Sequence, residues 1–280
     1  MNHGPLLAAD LPQEFAAALA ARADRLLGFG APVAWYDSVS STNDLADRAA
    51  EAGAPHGTVI AADRQAAGRG RMGRSWHSPP GTGLYVSVVL RPAEMGTADS
   101  GVSAASWVTL TAGVACAEAL RNATGLPAAI KWPNDLVVGP RKVCGMLAEA
   151  ASSSGRLRHV VLGYGVNVST VSYPPEIAER ATSIEAELGR FVDRADVFAE
   201  SLACLAERLR QASHGGFDAI LDAWRALSPS SAGARVEVLA PSGWTPGTTA
   251  GVDREGALLV SVDGTLRRVV AGEVRWLGTA

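Results

Sequence analysis

The chain has 280 residues, a formal net charge of −3, 48% hydrophobic and 19% charged residues. That composition describes a globular protein with ample core and excludes a disordered chain; the slight acidic excess also argues against a general nucleic-acid binder. No apolar run approaches the roughly 18 residues of a membrane span, the first residues lack the pattern of a signal peptide, and Cys116, Cys144 and Cys204 are too scattered for a metal motif, which together predict a cytoplasmic protein.

Residues 10–28 read as one helix, with Asp10 as cap, Pro12 in the first turn and Gly28 at the end. A single helix is too little for a helix-turn-helix module, which needs about three. VAWY (33–36) reads as a strand, and Ser40, Ser41 or Thr42 can cap a helix running to about Ala52. Strands follow at 58–65 and 84–91, separated by a Gly/Arg-rich stretch without periodicity, 66–83. Residues 102–124 read as a long buried helix. AIKWPNDLVV, VCGMLAEA and HVVLGYGVNVS predict three more strands, and ATSIEAELG, DRADVFAESLACLAERLRQAS and GFDAILDAWRALS three helices. SPSSAGA (228–234) is the linker candidate. Beyond it RVEVL, TTAGVD, ALLVSV, TLRRVV and EVRWL are short strands separated by turn pairs, the texture of a small SH3-like barrel. The expected organisation is a helical extension at 1–32, an α+β catalytic domain at 33–229 and a β domain at 230–280.

Four segments carry chemistry. Gly68-Arg69-Gly70-Arg71-Met72-Gly73-Arg74, followed by Ser75 and Trp76, combines free backbone N–H groups with arginine forks suited to phosphate or carboxylate. It has neither a Walker ending nor a helix after the glycines; the plain alternative is a solvated or RNA-binding RG loop. In Lys131-Trp132-Pro133-Asn134-Asp135 a lysine ends an apolar strand, where a compact ammonium can bridge carboxylate and phosphate; the alternative is a structural turn. Only two lysines occur in the chain, this one and Lys142 of Arg141-Lys142-Val143-Cys144-Gly145-Met146-Leu147, a turn leading into a buried strand; the plain alternative for Lys142 is an exposed turn residue. In Gly163-Tyr164-Gly165-Val166-Asn167, two glycines in a strand suggest a flat ligand against backbone, or else a sheet packed closely on a helix.

In this order and spacing the motifs resemble the biotin–protein ligases (biotin–[acetyl-CoA-carboxylase] ligase). The resemblance runs from about Ser38 to the C-terminus. It rests on SSTN (40–43), Gln65 with AAGRGRMGRSW (66–76), KWPND (131–135), RKVCGMLAE (141–149), LGYGVN (162–167) and AGE (271–273). It implies an α+β fold: a class II aminoacyl-tRNA-synthetase-like catalytic domain with mixed sheet and helices, plus a small C-terminal SH3-like β-barrel. The chain is similar to the short, monofunctional form without a DNA-binding domain.

The resemblance further implies that ATP and biotin, with Mg²⁺, give biotinyl-5′-AMP and pyrophosphate, and that biotin then passes to a lysine of the biotin carboxyl carrier domain of an acyl-CoA carboxylase. By motif match Lys131, Arg69 and Arg71 would be catalytic. Ser41, Thr42, Asn43, Gln65, Gly68, Gly70, Gly145, Gly163 and Gly165 would join them around biotin, and Arg74, Trp76, Asn134 and Asn167 around ATP. Lys142 matches a family lysine of unspecified role; metal ligands and a general base are unassigned. Met72 and Tyr164 depart from the family pattern, and Tyr164 should face away from the two glycines. No nucleic acid or membrane partner is implied, and the expected state is a monomer or a weak, ligand-dependent homodimer. A lipoate–protein ligase or octanoyltransferase on the same fold, an RG-type nucleic-acid module and a transcriptional repressor are the competing readings.

Overall fold

A computed structural model describes residues 8–95, 103–240, 243–270 and 274–277. The AGE segment (271–273) lies outside the described residues. The chain begins with α1 (Gln13–Ala20) and α2 (Ala23–Leu26) rather than one helix from residue 10 to 28; Pro12, not Asp10, occupies the cap position. No proline or glycine causes the break. It lets Arg22 and Arg25 reach one helix further on, where Arg22 pairs with Asp196 and Glu200, and Arg25 with Glu200 and Glu207.

Then follow β1 (Val33–Tyr36), α3 (Thr42–Glu51), β2 (Val59–Ala62), β3 (Gly83–Leu90), α4 (Ala104–Thr124), β4 (Ala129–Lys131), β5 (Asp135–Val138), β6 (Arg141–Ser153) and β7 (Arg156–Asn167). AIKWPNDLVV is not one strand. It turns at Trp132–Asn134, so that Lys131 lies opposite Asp135 in a tight hairpin. A proline inside an apolar run is the signal for such a break. The seven strands form a mixed sheet, ordered β1-β2-β3-β7-β6-β5-β4, with β1 and β2 parallel and the other pairs antiparallel.

Two short helices, α5 (Pro175–Ala178) and α6 (Ile184–Leu188), lead to α7 (Arg194–Gln211) and α8 (Phe217–Leu227); the sequence reading missed α5. Ser103 caps α4 and Asp193 caps α7, each accepting a bond from a backbone N–H of the first turn. Helices α4, α7 and α8 bury one sheet face around Trp107, Phe198 and Trp224. The opposite face carries α3 over Ile60, Val89 and Val161. Strand alternation therefore sends Tyr164 into the main core, hydrogen-bonded to Ser201 Oγ at 2.8 Å, and turns Gly163 and Gly165 toward the other face.

The segment 228–234 is packed, not free. It makes one 3₁₀ turn at Pro229–Ser231, and Ser228 and Ser231 are buried. β8 (Ala232–Ala240) starts directly after it, followed by β9 (Gly243–Val252), β10 (Leu258–Val262), β11 (Thr265–Val269) and β12 (Val274–Trp276). These make a second, antiparallel sheet in the order β11-β10-β9-β8-β12. It docks on the first unit through the KWPND turn: Trp132 is buried, and its Nε1 donates to the carbonyl of Gly256 at 3.0 Å. Arg225 of α8 adds a bond to the carbonyl of Val252.

Candidate active site

A cavity of about 500 Å³ opens on the glycine-bearing face of the large sheet. It gathers the predicted residues Ser41, Thr42, Asn43, Gln65, Arg69, Gly70, Arg71, Arg74, Trp76, Lys131, Asn134, Gly145, Gly163, Gly165 and Asn167 into one wall system. Of the residues expected to bind ligand, only Gly68 is not part of the lining. It supports the loop instead: a side-chain carbon there would stand 2.7 Å from the carbonyl oxygen of Trp76.

Part of the wall is a continuous polar network. The backbone N–H and Oγ1 of Thr42 both donate to Gln65 Oε1, at 2.9 and 3.1 Å, and Gln65 Nε2 donates to Ser78 Oγ. Ser87 Oγ lies within hydrogen-bond distance of both Thr42 Oγ1 and Asn43 Oδ1, at 2.8 and 2.6 Å. Asn43 Nδ2 donates to Glu149 Oε2. Ser41, Thr42 and Asn43 start helix α3 and are all buried, so the helix N-terminus holds this network against the sheet.

The glycines do two different jobs. Gly163 makes room for Asn43, whose Oδ1 comes within 2.0 Å of an added side-chain carbon; here the close packing of sheet on helix prevails. At Gly165 the flat group is the protein's own indole, since atoms of Trp76 would lie 2.5 Å from such a carbon. Gly145, directly opposite Gly165 in the β6–β7 ladder, is under the same ring and under Lys142. The buried Nε1 of Trp76 has no hydrogen-bond partner, so an acceptor on a bound molecule would relieve it.

The Gly/Arg-rich loop folds on itself. Gly70 donates to the carbonyl of Arg74, Trp76 to that of Gly68, and Met72 sits at φ 57 at the exposed tip. Arg69 is tied down by carboxylates, two-pronged on Glu149 at 3.0 and 2.8 Å and on Asp44 at 2.8 Å. Arg71 is half-buried and reaches Asn134 Oδ1 at 3.4 Å. Burial pushes its pKa below the usual guanidinium range, Asp135 opposes this, and Arg74 adds to it.

Lys131 ends β4 with its ammonium half-buried, 5.4 Å from the ring centre of Trp276. Burial lowers its pKa, Asp135 raises it, and Lys142 lowers it again. Lys142 is not the exposed turn residue that its sequence context suggests. Its Nζ pairs with Asp135 Oδ1 at 2.6 Å and lies 5.0 Å over the Trp76 ring. The register shift at Leu136/Val137 between β5 and β6, unreadable in sequence, is where the ladder brings Lys142 alongside. Asn134 and Asn167 each spend an amide N–H on the frame, donating to the carbonyls of Met146 and Thr182. His77 also lines the cavity, its ring 6.3 Å from that of Tyr173. Val274, Arg275 and Trp276 bring the C-terminal sheet to the rim, a contribution that sequence motifs did not reveal.

The cavity thus joins a polar network, the Trp76 ring seated on the strand glycines, and a set of partly buried cations. Such a site suits a long ligand with a neutral polar head and an anionic tail. Comparison with known proteins points the same way. Residues 35–167 match the Biotin/lipoate A/B protein ligase family. The biotin–[acetyl-CoA-carboxylase] ligase of Mycobacterium tuberculosis is 34% identical over 260 residues, which cover 90% of this chain and 92% of that protein. The bifunctional ligase/repressor BirA of Bacillus subtilis is 33% identical over 247 residues, covering 88% and 74%. The solved structure of the biotin protein ligase from Aquifex aeolicus in complex with biotin and ATP matches with a TM-score of 0.74 at 30% identity, over 88% of this chain and 99% of that one. The chain belongs to the biotin/lipoate ligase family and, within it, to the biotin–protein ligases.

Proposed function

We propose that the enzyme activates biotin with ATP and passes it to a lysine of a biotin carboxyl carrier domain of an acyl-CoA carboxylase. The observation that carries this reading is that Arg71 and Lys131, both partly buried and both within electrostatic reach of Asp135, line the same cavity as the polar network of Thr42, Asn43 and Gln65. In the first step a carboxylate oxygen of biotin attacks the α-phosphorus, the bond to the β-phosphate oxygen breaks, and pyrophosphate leaves. Two anions must meet, and positive charge held at that place lowers the barrier. Lys131 is the group assigned to it, with Arg71 beside it. In the second step a neutral lysine amine attacks the acyl carbon, an amide forms and AMP leaves.

Ser41, Thr42 and Gln65 are assigned to the ureido ring of biotin, with Asn43, Gly145, Gly163 and Gly165 shaping the slot. Trp76, Asn134 and Asn167 are assigned to the nucleotide, together with Arg74. Arg69, already paired with Glu149 and Asp44, serves as the latch of the loop. A closed loop keeps water from the mixed anhydride. No group of three His, Cys, Asp or Glu side chains that could hold a metal occurs among the described residues; Mg²⁺ is commonly held by one or two carboxylates together with nucleotide phosphates. Such an ion would arrive on the phosphates of ATP, and no step is assigned to it.

The C-terminal sheet is taken as an SH3-like barrel, with domain limits at 33–229 and 230–280 and a helical extension at 1–32. No helix among the described residues is long and apolar enough to cross a membrane. The three buried free cysteines agree with a cytoplasmic setting. The deciding experiment is mass spectrometry of a carrier domain after incubation with enzyme, ATP and biotin. A gain of one biotinyl group on one lysine is expected. A gain with lipoate or octanoate instead, or none without a nucleic acid, would refute the assignment.

A further inference from the structure

We infer that Trp276, supplied by the C-terminal sheet, is a positioning residue for Lys131. The inference rests on the reading of Lys131 given above. Lys131 ends a three-residue edge strand, and its long stem has no regular neighbour on the outer side. The group that meets its ammonium is the Trp276 ring, 5.4 Å from Nζ to ring centre. The ring belongs to β12, which pairs with β8, and it packs on the main core. It is held near β4 by the bond from Trp132, the residue after Lys131, to Gly256.

The chemistry explains why a ring is suited to this place. A ring face attracts an ammonium through its quadrupole. Unlike a carboxylate, it does not cancel the charge, so the N–H donors stay available to the two anions that must meet. The charged groups that act on Lys131 are Asp135 on β5 and Lys142 on β6; Arg69, Arg71 and Arg74 of the loop, Arg180, and Arg275 on β12 line the same cavity. Asp135 is already engaged by Lys142 at 2.6 Å, and Arg275 stacks on Trp244 at 3.8 Å, so neither takes the place of the ring. Removing the ring while keeping an apolar side chain leaves the ammonium desolvated but unsupported. The ammonium should then deprotonate more easily and point less reproducibly.

The test uses the full chain with Trp276→Leu and Trp276→Phe, and reads pyrophosphate release with biotin and ATP across pH. For Trp276→Leu, kcat should fall about tenfold with a smaller change in KM for biotin, and the alkaline limb should move to lower pH by about half a unit. Trp276→Phe should restore most of kcat and return the limb. Equal losses in both variants with an unmoved limb would overturn the inference, as would wild-type kcat in Trp276→Leu. Thermal melts of both variants separate a general loss of fold, which would appear in Phe and Leu alike. Absence of pyrophosphate release from the wild type would instead sink the proposed function itself.

Discussion

Asn43 and Gly163 fill a single place in the molecule. The Oδ1 of the asparagine stands 2.0 Å from where any side-chain carbon at residue 163 would be. The same carboxamide bonds to Ser87 and Glu149, so it cannot step aside without breaking the polar network of the cavity. Gly163→Ala should therefore raise KM for biotin about tenfold or more and destabilise by about 1–3 kcal/mol. Gly113→Ala on α4 is the contrast: its nearest neighbours would be 3.5 Å away, an ordinary contact, so this change should be neutral or slightly stabilising. Steady-state kinetics and urea melts of the two variants decide the point, and equal behaviour would refute it.

Glu149 holds two things at once, the guanidinium of Arg69 and the amide of Asn43. Its pair with Arg69 is partly exposed, so its contribution to stability is about 1 kcal/mol or less. The larger effect belongs to the loop. Glu149→Ala should let biotinyl-5′-AMP escape, giving several-fold more labelling of lysines on an unrelated bystander protein. Labelling at the wild-type level would show that the latch does not retain the intermediate.

The role proposed for Lys131 ties the first step to its titration. Burial places its folded pKa below the usual 10.5, and the proposed role uses the charged form. Activity from this group is complete at lower pH and is lost as pH rises through that lowered value. Lys131→Arg should remove this alkaline limb, because guanidinium does not titrate there, while lowering the rate. Lys131→Met should cost about 100-fold in kcat. An unchanged pH profile in the arginine variant would rule Lys131 out as the titrating group.

Glu200 anchors α1 and α2 to α7. Burial alone would raise its pKa, but bonds from Arg25, Arg22, Asn122 and Cys204 outweigh that and bring it down to about 2. A depressed carboxylate stabilises the fold above its unfolded pKa, and that stability fades as pH falls from about 4.5 toward 2. Glu200→Gln should cost about 1–2 kcal/mol at pH 7, because each of two arginines loses one of its two carboxylates and keeps the other, Asp196 or Glu207. The gap from wild type should narrow in melts at pH 3, and a gap independent of pH would contradict the pairing.

The sheet and the site were legible where periodicity or motif fixes the local choice. Alternation in β3 and β7 gave the central strands, and it correctly sent Tyr164 away from the glycines. The split at Ala21–Arg22 was hidden because no proline or glycine marks it, and the carboxylates on α7 that meet Arg22 and Arg25 are distant in sequence. The place of Lys142 was hidden because it depends on a register shift, and that of Trp276 because it depends on how two sheets dock. The motifs named the ligand-facing arginines but not their state. That Arg69 is paired with two carboxylates while Arg71, among the described residues, reaches Asn134 instead is a property of packing.

Both side-chain amines of this chain, Lys131 and Lys142, line the same cavity. An amine-selective acylating reagent therefore meets no lysine outside the cavity, and its uptake beyond the reactive α-amine reports on the open cavity. ATP and biotin should shield both positions together. Inactivation by such a reagent becomes a titration of ligand occupancy, and immobilising the enzyme through its lysines would block the cavity.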